Sequence, residues 1–214
     1  MEYKPYFVGI SGGSASGKTL FLNSLKERFG SDDICIVSQD NYYKQIYEHQ
    51  RDENGHINYD LPDCVDLDSF ADDISALNSG KSIQRHEYRF QHEDQKGNLL
   101  TFKPAPIIVC EGLFVFSHSR LFNQFDLKLF ISTDEDIALQ RRIKRDMAER
   151  NISKDFVLYQ WRNHVIPAYT KFLHPFMAKA DIIINNNTNF ENSLKLVSVY
   201  LEKIVETKKL ASSN

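Results

Sequence analysis

The stretch Gly12-Gly13-Ser14-Ala15-Ser16-Gly17-Lys18-Thr19 decides how the rest of this chain is read. It has the form G-x-x-x-x-G-K-T, the pattern of a phosphate-binding loop. Glycines let backbone N–H groups curl around a phosphate with no Cβ in the way. The helix that follows adds its unpaired N–H groups and the positive end of its dipole. Lys18 brings a point charge to the outer phosphates, and the Thr19 hydroxyl is a ligand for Mg²⁺. Gly/Ser-rich loops also occur by accident, so the flanks matter. Before the loop runs the apolar Tyr6-Phe7-Val8-Gly9-Ile10, and after it the amphipathic Leu20-Phe21-Leu22-Asn23-Ser24-Leu25. Strand before and helix after mark a chain that binds a nucleoside triphosphate.

Outward from the loop, strand and helix patterns alternate. Lys18 to about Phe29 reads as a helix stopped by Gly30, and Ile34-Cys35-Ile36-Val37-Ser38 as a second strand ending at Gln39-Asp40. Strand–helix–strand in so short a span is the unit of a parallel sheet. Residues 41–66 are polar and tyrosine-rich (Tyr42, Tyr43, Tyr47, Tyr59) without periodicity, and a loop that long is usually functional. Asp66 or Asp68 would cap a helix to about Asn78. From about 82 to 103 the alternation of Ile83, Arg85, Glu87 and Arg89, a turn at Lys96-Gly97-Asn98 and the run Leu99–Phe102 predict a projecting β-hairpin. Ile107–Glu111, Asp126–Ile131 and Asp181–Ile184 complete five sheet strands. Asp134 would cap a helix to about Arg150 with Leu139, Ile143 and Met147 as its apolar stripe. A further helix from Lys154 would be broken by Pro167 and Pro175, and a last one would run from Phe190 to about Val205 before fraying. The expectation is a doubly wound parallel five-stranded α/β sheet with an added β-hairpin and a helical lid at about 141–160.

The totals narrow the function classes. At 214 residues the chain suits a single domain over 1–214. A hydrophobic share of 42% and a charged share of 26% are those of a soluble globular protein. The net charge of −3 gives no general attraction to nucleic acid or acidic membranes, so neither is an expected partner. Cys35, Cys64 and Cys110 are too scattered for a zinc site or a disulfide framework, and imply reduced thiols in the cytoplasm. His92, His164 and His174 have no partners at metal spacing. Met1–Pro5 carries no apolar leader, no run approaches a membrane span, and no internal repeat is apparent.

Two acids and a cluster of cations stand where chemistry is expected. Ligands of such sheets bind at the carboxyl ends of the strands, where the loop, Asp40 and Glu111 all fall. Asp40 can accept the proton of an attacking hydroxyl, or hold Mg²⁺ through water; the plainer alternative is a turn cap before Asn41. Glu111 occupies the place of the second acid around the metal, partner to Thr19, and Gly112 beside it permits a tight turn. Residues 141–150 pack five cations into ten positions of a slightly acidic chain. Such runs are mostly solvated faces, yet Arg142 and Arg145 lie off the apolar stripe and suit a lid that neutralises charge on a transferring phosphoryl group. Trp161, Phe172 and Phe176 read as core.

Taken together, these residues resemble the uridine kinase/phosphoribulokinase family from about Phe7 to Asn189. The motifs are the loop at 12–19, Ser38-Gln39-Asp40 followed by Tyr43, Asn58-Tyr59-Asp60 before Pro62-Asp63, Glu111-Gly112, and Arg141-Arg142-Ile143-Lys144-Arg145-Asp146 with Glu149-Arg150. The resemblance implies an enzyme that uses ATP, or GTP, and Mg²⁺ to phosphorylate the 5′-hydroxyl of uridine and cytidine in pyrimidine salvage. It implies that Asp40 is the base, that Asp60 holds the ribose hydroxyls, and that Tyr43 and Tyr59 shape the nucleoside pocket. Tyr88 would stack on the base and His92 help select it; Arg142 and Gln160 would touch the nucleoside. Arg145 and Arg150 would lie near the phosphates, and Asn189 near the adenine. Family members are typically oligomeric, so a homo-oligomer is implied too. The chain departs from the family pattern in three places. His92 comes four residues after Tyr88 instead of five and is followed by Glu93-Asp94, Arg89 replaces a small or acidic residue, and Ile152 stands where an arginine is common. A kinase of the same scaffold acting on another small alcohol, ribosylated or pantothenate-like, stays open beside it, as does a nucleotide-binding regulator without catalysis.

Overall fold

A computed structural model describes residues 4–45, 48–89 and 97–212. The chain runs β1 (Tyr6–Gly12), α1 (Lys18–Lys26), β2 (Ile34–Ser38), α2 (Leu67–Asn78), β3 (Ile83–His86), β4 (Leu99–Phe102) and β5 (Ile107–Glu111). It continues through the short α3 (Ser119–Phe122), β6 (Leu127–Ser132) and α4 (Glu135–Glu149). A long helical stretch follows, 154–177, made of α5 (Lys154–Gln160), α6 (Ile166–Ala168) and α7 (His174–Met177) joined by π-helical turns at Trp161–Val165 and Tyr169–Leu173. β7 (Ile182–Asn185) and α8 (Glu191–Ser212) complete it.

The five expected strands form one parallel sheet in the order β2-β5-β1-β6-β7. Because successive strand side chains point to opposite faces, the sheet supports two cores. Phe7, Ile108, Cys110 and Phe130 pack with Phe70, Ile74, Leu77 and Phe114 on one face. Val8, Ile10, Ile107, Val109, Leu129 and Ile131 pack with Phe21 and Leu25 of α1 and Leu194 and Leu201 of α8 on the other. Burial on both faces is why these strands read as continuous apolar runs instead of alternating ones. β3 and β4 pair antiparallel as a separate two-stranded sheet, Ile83 opposite Phe102, as expected of the hairpin. The Glu87 N–H donates to the Asn98 carbonyl at 2.8 Å, so Asn98 extends the pairing instead of turning the chain. Lys96, with the rest of 90–96, lies outside the described residues. Among the described residues no helix is long and apolar enough to cross a membrane. All three cysteines are free and buried.

Four local expectations need correction. α1 ends at Lys26, where the chain tightens through Arg28 N–H to the Leu25 carbonyl, short of Phe29. The buried face of α4 is not Leu139, Ile143 and Met147: Ala138, Arg142 and Asp146 are buried, while Met147 is 49% exposed. That helix turns a charged stripe inward because it faces the phosphate site, and Asp134 makes no side-chain cap at its start. Pro167 and Pro175 do not break the helix after Lys154. A proline removes one hydrogen bond and crowds the carbonyl one turn earlier, and the wide π-helical turns just ahead of each absorb that misfit. Finally, α8 continues to Ser212, with Val205 buried against the sheet core and Lys209 paired with Asp33 at 2.6 Å. At α2 the cap is Asp66, whose carboxylate accepts from Ser69 N–H at 3.0 Å.

Candidate active site

The phosphate loop hangs between the end of β1 and the start of α1. Gly17 takes φ 97° and ψ 17°, a left-handed conformation, and a Cβ there would lie 2.2 Å from the Asn186 amide nitrogen. Glycine is required on both counts. Asn186 explains the closeness: it is buried and its Nδ2 donates to the Ser16 carbonyl at 2.8 Å, while Thr133 Oγ1 donates to the same oxygen at 3.1 Å. The loop is thus braced from the ends of β6 and β7. Lys18 Nζ donates to the carbonyls of Gly12 and Gly13, both at 3.0 Å. Burial lowers the Lys18 pKa, and the charges of Glu111 and Asp40 oppose that shift.

The two acids come together through strand register. Ser38 on β2 lies opposite Glu111 on β5, so Asp40 falls just beyond the pair. Ser38 Oγ donates to Glu111 Oε2 at 3.1 Å and accepts the Asp40 N–H at 3.2 Å, one hydroxyl tying both acids. Glu111 is 7% exposed, and burial, reinforced by the Asp40 charge, pushes its carboxyl up to about 7 against the pull of Lys18 and Ser38. Asp40 is also raised from its ordinary value, first by the protein around it, with Lys18, Arg150 and Arg145 pulling it back. Gly112, in the bend that follows β5, also serves close approach: the Gln39 side chain fills the space of its missing Cβ, at 2.3 Å from the Gln39 Cβ. Gln39 Oε1 in turn accepts the Phe114 N–H at 2.7 Å.

Opposite the loop stands an aromatic wall. Tyr43 stacks on Tyr88 with ring centroids 4.9 Å apart, and meets Tyr59 edge-on at 6.4 Å. Asn41 Oδ1 accepts the Tyr88 N–H at 3.1 Å, which ties the end of the hairpin to the turn after β2. Asp60, 9% exposed, is aimed by Asn58, whose side-chain oxygen accepts its N–H at 3.0 Å. Tyr43 is held protonated, its pKa raised by burial and then by Asp40 and Asp60. From the helix after α4 comes Gln160, 7% exposed, whose Oε1 accepts no hydrogen bond among the described residues.

The arginines of α4 close the ring. Arg142 Nη1 donates to Ser14 Oγ at 2.9 Å and lies 3.8 Å from Asp60, bridging the phosphate loop to the tyrosine side. Arg142, Arg145 and Arg150 all contact Asp146, at 3.2, 2.8 and 3.3 Å. One cavity of about 530 Å³ unites the parts. Its lining includes Ser14, Ala15, Gly17, Lys18, Thr19, Asp40, Tyr43, Tyr59, Asp60, Tyr88, Glu111, Arg142, Arg145, Arg150 and Gln160, together with Leu20, Leu113, Arg141 and Ile152. Most of the residues singled out in the sequence therefore share one space. Gly12, Gly13 and Ser16 support it from the loop without lining it. Asn189 stands apart: it is exposed, and its side-chain oxygen accepts the Glu191 N–H at 3.2 Å at the start of α8. His92 lies outside the described residues, as does Tyr47.

Asn186 escaped the sequence reading, while Ser38 and Asp146 stood there only as members of motifs, with no role of their own. Ser38 and Asn186 act on site residues far away in sequence, whereas Asp146 acts on arginines one to four positions away in its own helical segment. Only the even placement of Arg142 and Asp146 one turn apart carried a hint.

A model of the phosphoribulokinase/uridine kinase family matches residues 7–191. A uridine kinase of Brevibacillus brevis is 33% identical over 201 residues, 94% of this chain and 94% of that one. Another, of Streptococcus gordonii, is 31% identical over 206 residues, 96% of this chain and 98% of that one. In fold the chain is similar to phosphoribulokinase from Rhodobacter spheroides, at a TM-score of 0.61 and 14% identity, covering 86% of this chain and 71% of that one.

Proposed function

The chain belongs to the phosphoribulokinase/uridine kinase family, and from that membership we propose that it is a nucleoside kinase. It transfers the γ-phosphoryl group of ATP to the 5′-hydroxyl of uridine, and of cytidine, giving the monophosphate. The observation that carries this reading is the shared cavity, which faces the phosphate loop and Asp40 with Tyr43, Tyr88 and Asp60.

Phosphoryl transfer needs little covalent chemistry from a protein; position and charge do most of the work. Loop N–H groups and Lys18 hold the β- and γ-phosphates. Asp40, at the cavity wall beside Lys18 and Thr19, accepts the proton of the 5′-hydroxyl. Asp60 accepts from the ribose hydroxyls, Gln160 Oε1 offers a further acceptor, and the Tyr43–Tyr88 wall takes the flat base. Arg142, Arg145 and Arg150 spread the charge that develops on the transferring group. The oxygen donors present fit Mg²⁺: the Thr19 hydroxyl and the Glu111 carboxylate would hold it, and it would neutralise phosphate charge there. Among the described residues no three His, Cys, Asp or Glu gather as a metal cage, which suits an ion carried largely by phosphates and water. The same reading gives a cytoplasmic enzyme of pyrimidine salvage and a homo-oligomer. The last is supported by apolar side chains left exposed on β7 and α8, Ile183 at 50% and Leu196 at 74%.

Ile152 favours a second acceptor, because it and Leu113 add apolar side chains to the lining of a cavity otherwise rich in charge. A panel of uridine, cytidine, adenosine, ribosylated alcohols and pantothenate, scored by ADP release, separates the two. Turnover with uridine is expected. Turnover confined to another alcohol overturns the substrate and keeps the kinase, and ATP binding with no turnover on any acceptor leaves a regulator.

A further inference from the structure

Asp146 is completely buried, does not line the cavity, and yet touches three residues that do. Its Oδ1 accepts from Arg145 Nε at 2.8 Å and lies 3.3 Å from Arg150 Nη1; its Oδ2 lies 3.2 Å from Arg142 Nε. Each guanidinium thus spends one edge on this carboxylate and keeps others for the cavity. Arg142 uses another of its nitrogens on Ser14 of the phosphate loop. We infer that Asp146 is the positioning residue of the lid: it sets three arginines in register with the phosphate loop and with one another.

The argument is electrostatic and geometric. Three guanidinium groups within one cavity wall repel each other, and a single buried carboxylate is what lets them stand side by side. Arg150 shows the strain of that company. Its pKa is lowered by burial and then by Arg145, and Asp146 opposes the shift. The carboxylate belongs to α4 itself, one turn after Arg142 and one turn before Arg150, so the helix fixes its spacing to the arginines it pairs with. A residue wanted only for helix stability would not need to be wholly buried under three cations. A hydrophobic residue there would be cheaper.

This inference rests on the phosphoryl-transfer reading, and is tested with whichever acceptor of the panel turns over. Wild-type turnover decides that reading; the variants decide Asp146. Asp146→Asn keeps the shape and removes the charge. The expected result is a folded protein with unchanged affinity for a non-hydrolysable ATP analogue and a kcat lowered on the order of 10²-fold, the cost of misplacing transferring groups by about an ångström. Arg145→Ala and the double variant Arg145→Ala/Asp146→Asn complete a cycle. If Asp146 acts through the arginines, the double variant loses clearly less than the product of the two single losses. Additive losses overturn the inference, as does a lowered Tm with wild-type kcat per active site. Should Asp146→Asn fail to fold, the same cycle on Asp146→Glu decides by the same criterion.

Discussion

Asp40 and Glu111 stand on neighbouring strands and share the Ser38 hydroxyl, but their tasks differ. Both line the cavity, where Glu111 is buried at the end of β5 and Asp40 is exposed toward the tyrosines. On the proposed function, replacing Asp40 by Ala would remove the base and leave the phosphate loop as it is. Turnover should fall on the order of 10²–10⁴-fold, with ATP affinity in a binding titration nearly unchanged. Retention of most of the turnover would deny Asp40 that role. Gly17 makes a second residue-scale case. Its φ of 97° and the Asn186 amide 2.2 Å from its missing Cβ make Gly17→Ala costly, by at least about 1 kcal/mol for the left-handed backbone alone. Denaturant unfolding should show that loss, together with weakened ATP binding, since relief of the clash must displace the Asn186 brace.

At the scale of elements, the 154–177 helix matters through what docks on it. The turn at 51–57, closed by the Arg51–Ile57 bridge, lays Asp52 against it. Asp52 Oδ2 accepts from Tyr159 OH at 2.6 Å and meets His164 Nε2 at 2.7 Å, and His56 packs edge-on against Phe156 and Tyr159. Partial burial raises the Asp52 pKa, but hydrogen bonds from Tyr159, His164 and the N–H groups of His56 and Asn54 outweigh it and hold the carboxyl below its ordinary range. A carboxylate depressed in the folded state stabilises above its unfolded pKa, near 4, and the contribution is lost as the pH falls below that. Asp52→Asn should therefore unfold at a lower temperature than wild type at pH 7, and the gap should close in acid below about pH 4. A gap that stays constant across that range would mean the carboxylate charge is not what holds the turn. The turn leads directly into Tyr59 and Asp60, so the clasp couples the acceptor side of the cavity to the helix that carries Gln160.

At the scale of the whole molecule, ligand binding should appear as stability. The phosphate loop joins β1 and α1, and its braces come from β6 and β7, so nucleotide bound there engages the centre of the sheet. Mg²⁺–ATP at one hundred times its dissociation constant should add about 2.7 kcal/mol, or on the order of 5–10 °C in Tm for a chain this size. Calorimetry or a thermal shift measures it. Lys18→Ala should abolish most of the shift while unfolding near the wild-type temperature without ligand; an undiminished shift would place ATP elsewhere.

What could be read in the chain follows from the range of the interactions involved. The phosphate loop, the five strands and the hairpin announce themselves locally, through glycine spacing, apolar runs and turn residues, and the sequence by itself determined them. It also named most of the cavity wall, because motif residues sit at strand ends that a parallel sheet must bring together. The inward face of α4 was another matter. Leu139, Ile143 and Met147 form a fair apolar stripe, but the helix buries Arg142 and Asp146 because the wall it meets is a charged cavity and not a hydrocarbon core. Likewise Pro167 and Pro175 are helix breakers to any local rule, yet the helix runs on through π turns whose Trp161, Val165 and Leu173 are buried in the fold. Residues such as Ser38, Asn186 and Asp146 act across gaps of tens to more than a hundred positions or within a folded lid. Ser38 and Asn186 meet their partners only once strand register is set. Helix spacing alone brings Asp146 to its arginines, but only the orientation of α4 buries the group against the cavity, and that the tertiary structure decided.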